Sequence, residues 1–176
     1  MKSELLSLEM FRYIYNCVKH IFRDWDSIKV ECMSVVRIFD DSFVTLLYYP
    51  ESKIVHHEFH QTVQGQVYRN VLNRGLEVFR QHDAHKWLSD DRNNAALTDA
   101  DTYWAKTNWF PRVVEAGWQS WAVIMPDEVL AALNLKEFVE SYRPFGLQVM
   151  VFNDPQSGMD WLEKLQIERA SRQPDL

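Results

Sequence analysis

The chain has 176 residues, 47% of them hydrophobic and 25% charged, with a formal net charge of −6. That length and balance predict one soluble globular domain built on one core. The negative balance, with no cluster of Lys and Arg, argues against a nucleic-acid binder, because neutralising phosphates needs clustered cations.

Residues 1–32 read as an N-terminal helical extension. Leu8, Phe11, Ile14, Val18, Ile21, Phe22 and Trp25 fall three or four apart and make one apolar stripe. Glu4, Glu9, Arg12, Lys19, Arg23 and Asp24 interrupt it, which argues against a signal peptide and a membrane span. Its mixed charges also fit poorly with a membrane-surface helix. The stripe needs a cover, from its own domain or from a second copy, and the second would make a homodimer through this helix. Cys17 and Cys32 have neither C-x-x-C spacing nor companion His–Cys ligands, so they read as reduced structural thiols in the cytoplasm.

From Met33 the pattern changes. Val35, Val36, Ile38 and Phe39 suit a short strand, Asp40-Asp41-Ser42 a turn, and 43–49 a second strand rich in β-formers. Pro50-Glu51-Ser52 breaks that run, and 53–60 resumes in strict alternation, so a hairpin is predicted. A helix follows over 64–82 with Tyr68, Val71, Leu72, Gly75, Val78 and Phe79 on its buried stripe. An interior glycine costs about 1 kcal/mol relative to alanine, so Gly75 implies a closely packed neighbour.

Residues 86–91 are the next strand, and 92–97 form a polar loop. Thr98 is placed to cap a helix whose first turn holds Asp99 and Asp101. Pro111 should kink that helix, Gly117 ends it, and 121–125 is an apolar run suited to a strand buried on both faces. Strand, loop, helix and strand make a βαβ unit and hence a parallel pair. A helix over 128–142, ended by Pro144 and Gly146, leads to a strand over 147–152. Asp154 and Pro155 open a last helix with Trp161, Leu162 and Leu165 inward, and 169–176 is a polar tail. The fold class is α/β: a mixed sheet with an antiparallel N-terminal hairpin, then parallel crossovers, over 33–168.

The stretches FVTLLYYPESKIVHHEF, KWLSDDRN, WFPRVVEAGWQSWAVIMP and MDWLEKL resemble the STAS-like family of small bacterial domains similar to the sporulation anti-sigma-factor antagonist. The resemblance runs from about Val35 to Leu165. It implies a mixed sheet with helices mainly on one side, in a group largely without assigned biochemistry. Antagonist-type members carry a phosphorylatable serine in an Asp-Ser-Ser-Gly turn. Here that turn reads Asp90-Asp91-Arg92-Asn93-Asn94 and the hydroxyl at the helix start is Thr98, which a helix cap explains without phosphorylation.

Three sets of residues carry candidate chemistry. His56, Glu58 and His60 lie on one strand face, where a metal-dependent enzyme would place ligands, and where a solvated polar face would look the same. His82 and His85, with Asp83 between them, read as a solvated helix end. Asp91, Arg92, Asn93 and Asn94 follow a predicted parallel strand, with Thr62 and Asp127 leaving its neighbours in the same direction. Open α/β sheets bind ligands at that edge, although Asp and Asn are also ordinary loop residues. Walker, G-x-G-x-x-G and G-x-S-x-G signatures are absent from the sequence. The sequence therefore leads to a cytoplasmic, non-catalytic STAS-like module with no cofactor and no metal, recognising an unidentified protein or small ligand. A lipid or apolar-ligand carrier of CRAL-TRIO-like architecture is the first rival.

Overall fold

In a computed structural model of the chain, residues 34–94 and 96–165 are described, all within one compact unit, Met33–Leu176. The predicted N-terminal helix, both cysteines and the polar tail lie outside the described residues. Six strands form one mixed sheet in the order β1-β2-β3-β4-β5-β6: β1 Val36–Asp40, β2 Val44–Tyr49, β3 Ile54–Phe59, β4 Lys86–Asp90, β5 Ser120–Ile124 and β6 Gln148–Phe152. The first three are antiparallel neighbours, and β3 to β6 run parallel.

Local chemistry accounts for the turns. Asp41 Oδ1 accepts from the N–H groups of Phe43 and Val44 (2.7 and 3.0 Å), closing the β1–β2 turn. Helix α1 spans Gly65–Gln81 and buries Tyr68, Val71, Leu72, Gly75, Leu76, Val78 and Phe79. The βαβ helix is interrupted as Pro111 requires. Asp99–Trp104 (α2) passes through a π turn, Ala105–Trp109, into Phe110–Glu115 (α3). A proline has no N–H to offer, and a π turn absorbs that missing bond without ending the helix.

The helix expected over 128–142 is two helices, Asp127–Ala132 (α4) and Leu135–Tyr142 (α5). Leu133 is extended, and Asn134 caps α5 by accepting from Glu137 N–H at 3.4 Å while its amide donates to the Glu137 carboxylate at 2.9 Å. An Asn whose side-chain oxygen accepts from the third residue's N–H is the N-cap that starts a new helix. A short 3₁₀ turn, Arg143–Phe145, then leads to β6, and Pro155–Lys164 (α6) follows it.

The two faces of the sheet differ. One carries the larger core, where Val55, Phe59, Trp87 and Val123 meet α1, Trp109, Val113 and Trp118. The other carries a smaller cluster of Ile54, Leu88, Ala122 and Ile124 under Met159 and Leu162 of α6. Most helices thus lie on one side and α6 on the other. Lys86, on the α6 side, is buried. Its ammonium donates to the carbonyls of Leu162 and Leu165 (2.6 and 2.8 Å), a charge-assisted cap at a helix end whose dipole favours a cation.

Trp87 is fully buried in the centre of the sheet, and its ring lies where a Cβ on Gly75 would stand: Cζ2 would be 2.8 Å away. Helix propensity alone predicts that Gly75→Ala stabilises α1 by about 1 kcal/mol. Overpacking against a rigid indole predicts instead a net loss of about 1–3 kcal/mol. We expect the loss, read as a lower urea midpoint with an unchanged slope.

Candidate functional site

Strands β3, β4 and β5 all end at the same edge of the sheet, so the connections that follow them emerge side by side. Thr62 leaves β3, residues 91–94 leave β4, and Asp127 opens α4 after β5. Residues 91–94, the start of the loop after β4, are each hydrogen-bonded. Asp91 N–H donates to Ile124 O (3.0 Å), Asn94 N–H to Asp91 O (2.9 Å), and Asn93 Nδ2 to Phe59 O (3.1 Å). Asn94 is buried, and its Oδ1 accepts from Val63 N–H at 2.8 Å, while its Nδ2 has no partner.

Arg92 does not pair with Asp91 or Asp127. Its Nε and Nη2 grip Asp90 in a fork at 2.9 and 2.7 Å, and the Asp90 side chain is only 2% exposed. This bond holds the guanidinium above its ordinary pKa, helped by Glu58 and Asp154 nearby. The fork leaves Nη1 unused by Asp90. Planar guanidinium suits a carboxylate that must stay paired in a buried position.

A relay joins the core to this loop. The Trp87 indole N–H can only donate, and it donates to His57 Nδ1 at 3.0 Å. That makes Nδ1 the acceptor, so the ring proton sits on Nε2, which faces Asp91 Oδ1 at 3.3 Å. Beside it, Asp101 is a second buried carboxylate. Gly65 N–H (2.7 Å), Thr98 Oγ1 (2.9 Å) and Arg69 Nε (3.0 Å) all donate to it, and the first of these does most to hold its pKa below the usual range. Thr98 also accepts from Asp101 N–H at 3.1 Å, so it is a helix cap tied to its own first turn. Asp101 thereby pins the start of α2 to the start of α1.

His56, Glu58 and His60 share the α6 side of β3, yet they do not converge. Thr45 donates its single hydroxyl proton to Asp40 (2.7 Å), so it receives the Nε2–H of exposed His60 (2.8 Å). His56 is 8% exposed, stacks near Tyr49 (6.2 Å between rings), and has no partner for either nitrogen. Burial pushes its pKa down to about 4, with His57 adding to the shift. Among the described residues, no group of three His, Cys, Asp or Glu side chains is placed to hold one metal ion. At the other end of β3's neighbours, His82 stacks on Tyr48 (4.4 Å) and His85 Nδ1 lies 3.0 Å from Gly117 O, so each has a local partner.

Of the six residues expected to form a recognition edge, the structure brings all to one edge but divides their work. Asn94 and half-buried Asp91 hold the loop, while Thr62, Arg92, Asn93 and Asp127 are exposed. Asp127 accepts from Asn153 Nδ2 at 3.0 Å. Sequence reasoning missed Asp90 and Lys86 as buried charges. Both share strand parity with buried Leu88, and a charge at a core-facing position of a two-sided strand is the signal that was there to read. Among the described residues no helix is long and apolar enough to cross a membrane. No family model matches the chain, and no curated protein or solved structure matches it.

Two outcomes follow from this geometry. Arg92→Ala strands a buried carboxylate, and it should cost about 2–4 kcal/mol by urea denaturation. The exposed Arg143–Glu140 pair is a control: Arg143→Ala should cost less than about 1 kcal/mol. His56 has a folded pKa below its unfolded value, so the unfolded chain binds the extra proton as pH falls. Stability is therefore full above about pH 6.5 and is lost toward pH 4, by at most about 3 kcal/mol. His56→Leu should flatten that stretch of the stability–pH curve without lowering stability at pH 7.

Proposed function

We propose that this chain is a STAS-like, non-catalytic binding module that recognises a protein or a small ligand at the carboxyl edge of β3, β4 and β5. The observation that carries this reading is the hydrogen-bonded segment 91–94 after β4. Its lower side is bonded into the core through Asp90, Asp91 and Asn94, and its outer rim remains in solvent. Ordering polar side chains on binding costs about 0.5–1.5 kcal/mol each. A rim whose backbone and central arginine are already held avoids much of that cost, and the carboxyl edge is where open α/β sheets receive ligands.

The rim offers one guanidinium nitrogen outside the Asp90 fork, a threonine hydroxyl, an amide and a carboxylate. That mixture suits a polar partner surface or a small molecule bearing both signs of charge. An apolar carrier of CRAL-TRIO-like architecture is less well supported. On the main core face, Trp87, Trp109 and Trp118 pack edge to face with ring centres 5.1–6.2 Å apart, which fills the space such a cargo would occupy. A metal-dependent enzyme on the His56 face is also less well supported, because that set is drawn apart.

Site-directed photo-crosslinking tests the proposal. A benzophenone side chain in place of Thr62 should capture one dominant partner from the native host, or native mass spectrometry should show one bound small molecule. The same probe in place of Lys53, at the opposite end of β3, should capture nothing specific. Equal capture from both ends, or no captured partner together with no bound mass, rejects recognition at this edge.

A further inference from the structure

Among the described residues, β6 is paired on one side only, with β5. Gln148 N–H donates to Gln119 O, and Phe152 O accepts from Met125 N–H. In a parallel ladder alternate residues bond the same neighbour, so Val149 and Val151 turn their N–H and C=O groups to the open edge. Soluble sheets blunt such edges with charge, proline or a bulge. The far edge strand has two of these: β1 is bulged between Arg37 and Phe39 and carries the exposed Arg37–Asp40 ion pair. Strand β6, Gln-Val-Met-Val-Phe, has none of them, and its central Met150 is 43% exposed.

We propose that β6 is a homodimer interface, on which β6 of a second copy pairs antiparallel about a two-fold axis at Met150. Two features choose a second copy over an unrelated strand. Val-Met-Val reads the same in both directions, so an antiparallel partner sets Val149 against Val151 and Met150 against itself. The first pair exchanges backbone hydrogen bonds, and the second is the close, non-bonded pair in which side chains touch. Finally, the blunted β1 edge cannot continue the sheet, so the pairing closes as a dimer instead of growing into a fibre.

The test uses the full chain and residue 150, whose side chain is exposed enough to accept charge. Sedimentation velocity of the wild type should show a dimer. Met150→Lys and Met150→Glu should each be monomers with wild-type circular dichroism, because like charges then face each other across the axis. Mixing the two variants should restore the dimer, and amide exchange at Val149 and Val151 should be slow in both dimers and fast in the monomers. A monomeric wild type, with those amides fast or protected within one chain, overturns the proposal. A dimer that survives both charge variants overturns it as well.

Discussion

The indole of Trp87 is the constraint on which most of this molecule depends. It sits on the central strand with no exposed surface, and its bulk dictates what can lie above it. Helix α1 crosses at Gly75 because no other residue leaves room for the ring. Phe79, Trp109 and Trp118 then pack around it with ring centres 5.1–6.2 Å away. Its one polar atom cannot be left unbonded in such a place, since a buried N–H without an acceptor costs a few kcal/mol. His57 supplies that acceptor, and the choice of ring nitrogen aims the remaining N–H at Asp91. One buried aromatic thus determines a helix crossing, a histidine tautomer and part of the loop at the sheet edge.

The carboxyl edge is organised by two more buried charges of the same sign. Asp90 and Asp101 are each almost fully enclosed, and each is matched by an arginine together with backbone donors. Charges in such positions are stable only when nearly every lone pair is used. The result is rigidity. Asp101 joins the first turns of α1 and α2, and Asp90 fixes Arg92. His56, by contrast, is neutral and unpartnered a few ångströms of strand away, which makes it the polar group on this sheet that stability would not miss at neutral pH.

The succession of strands and helices along the chain, and most boundaries, were legible in the sequence, because two periodicities govern them. Alternation over 53–60 and the three-to-four spacing over 64–82 come from backbone geometry that any sequence must satisfy. Thr98 as a cap, Gly75 as a close approach and Pro111 as an interruption were readable for a similar reason: each follows from the local stereochemistry of one residue. Even the break between α4 and α5 had its local signal in Asn134 and Glu137, hidden by the apolar pattern that runs across it. The candidate edge was legible in outline, since parallel strands end together.

Partnership was not legible. The sequence by itself determined that this is an α/β chain with an antiparallel start and parallel crossovers, and that polar residues gather where β4 ends. Only the tertiary structure decided that Arg92 belongs to Asp90 and not to Asp91 or Asp127, that Lys86 caps a helix 76 residues further along the chain, and that Asn94 lies inside and Thr62 outside. The physical reason is range for Lys86 and burial for Arg92. Periodicity and capping are settled within a turn or a strand, whereas Lys86 bonds carbonyls that a distant helix brings within 3 Å, and Arg92 takes Asp90, two residues away, because the folded sheet encloses that carboxylate and leaves Asp91 and Asp127 more open.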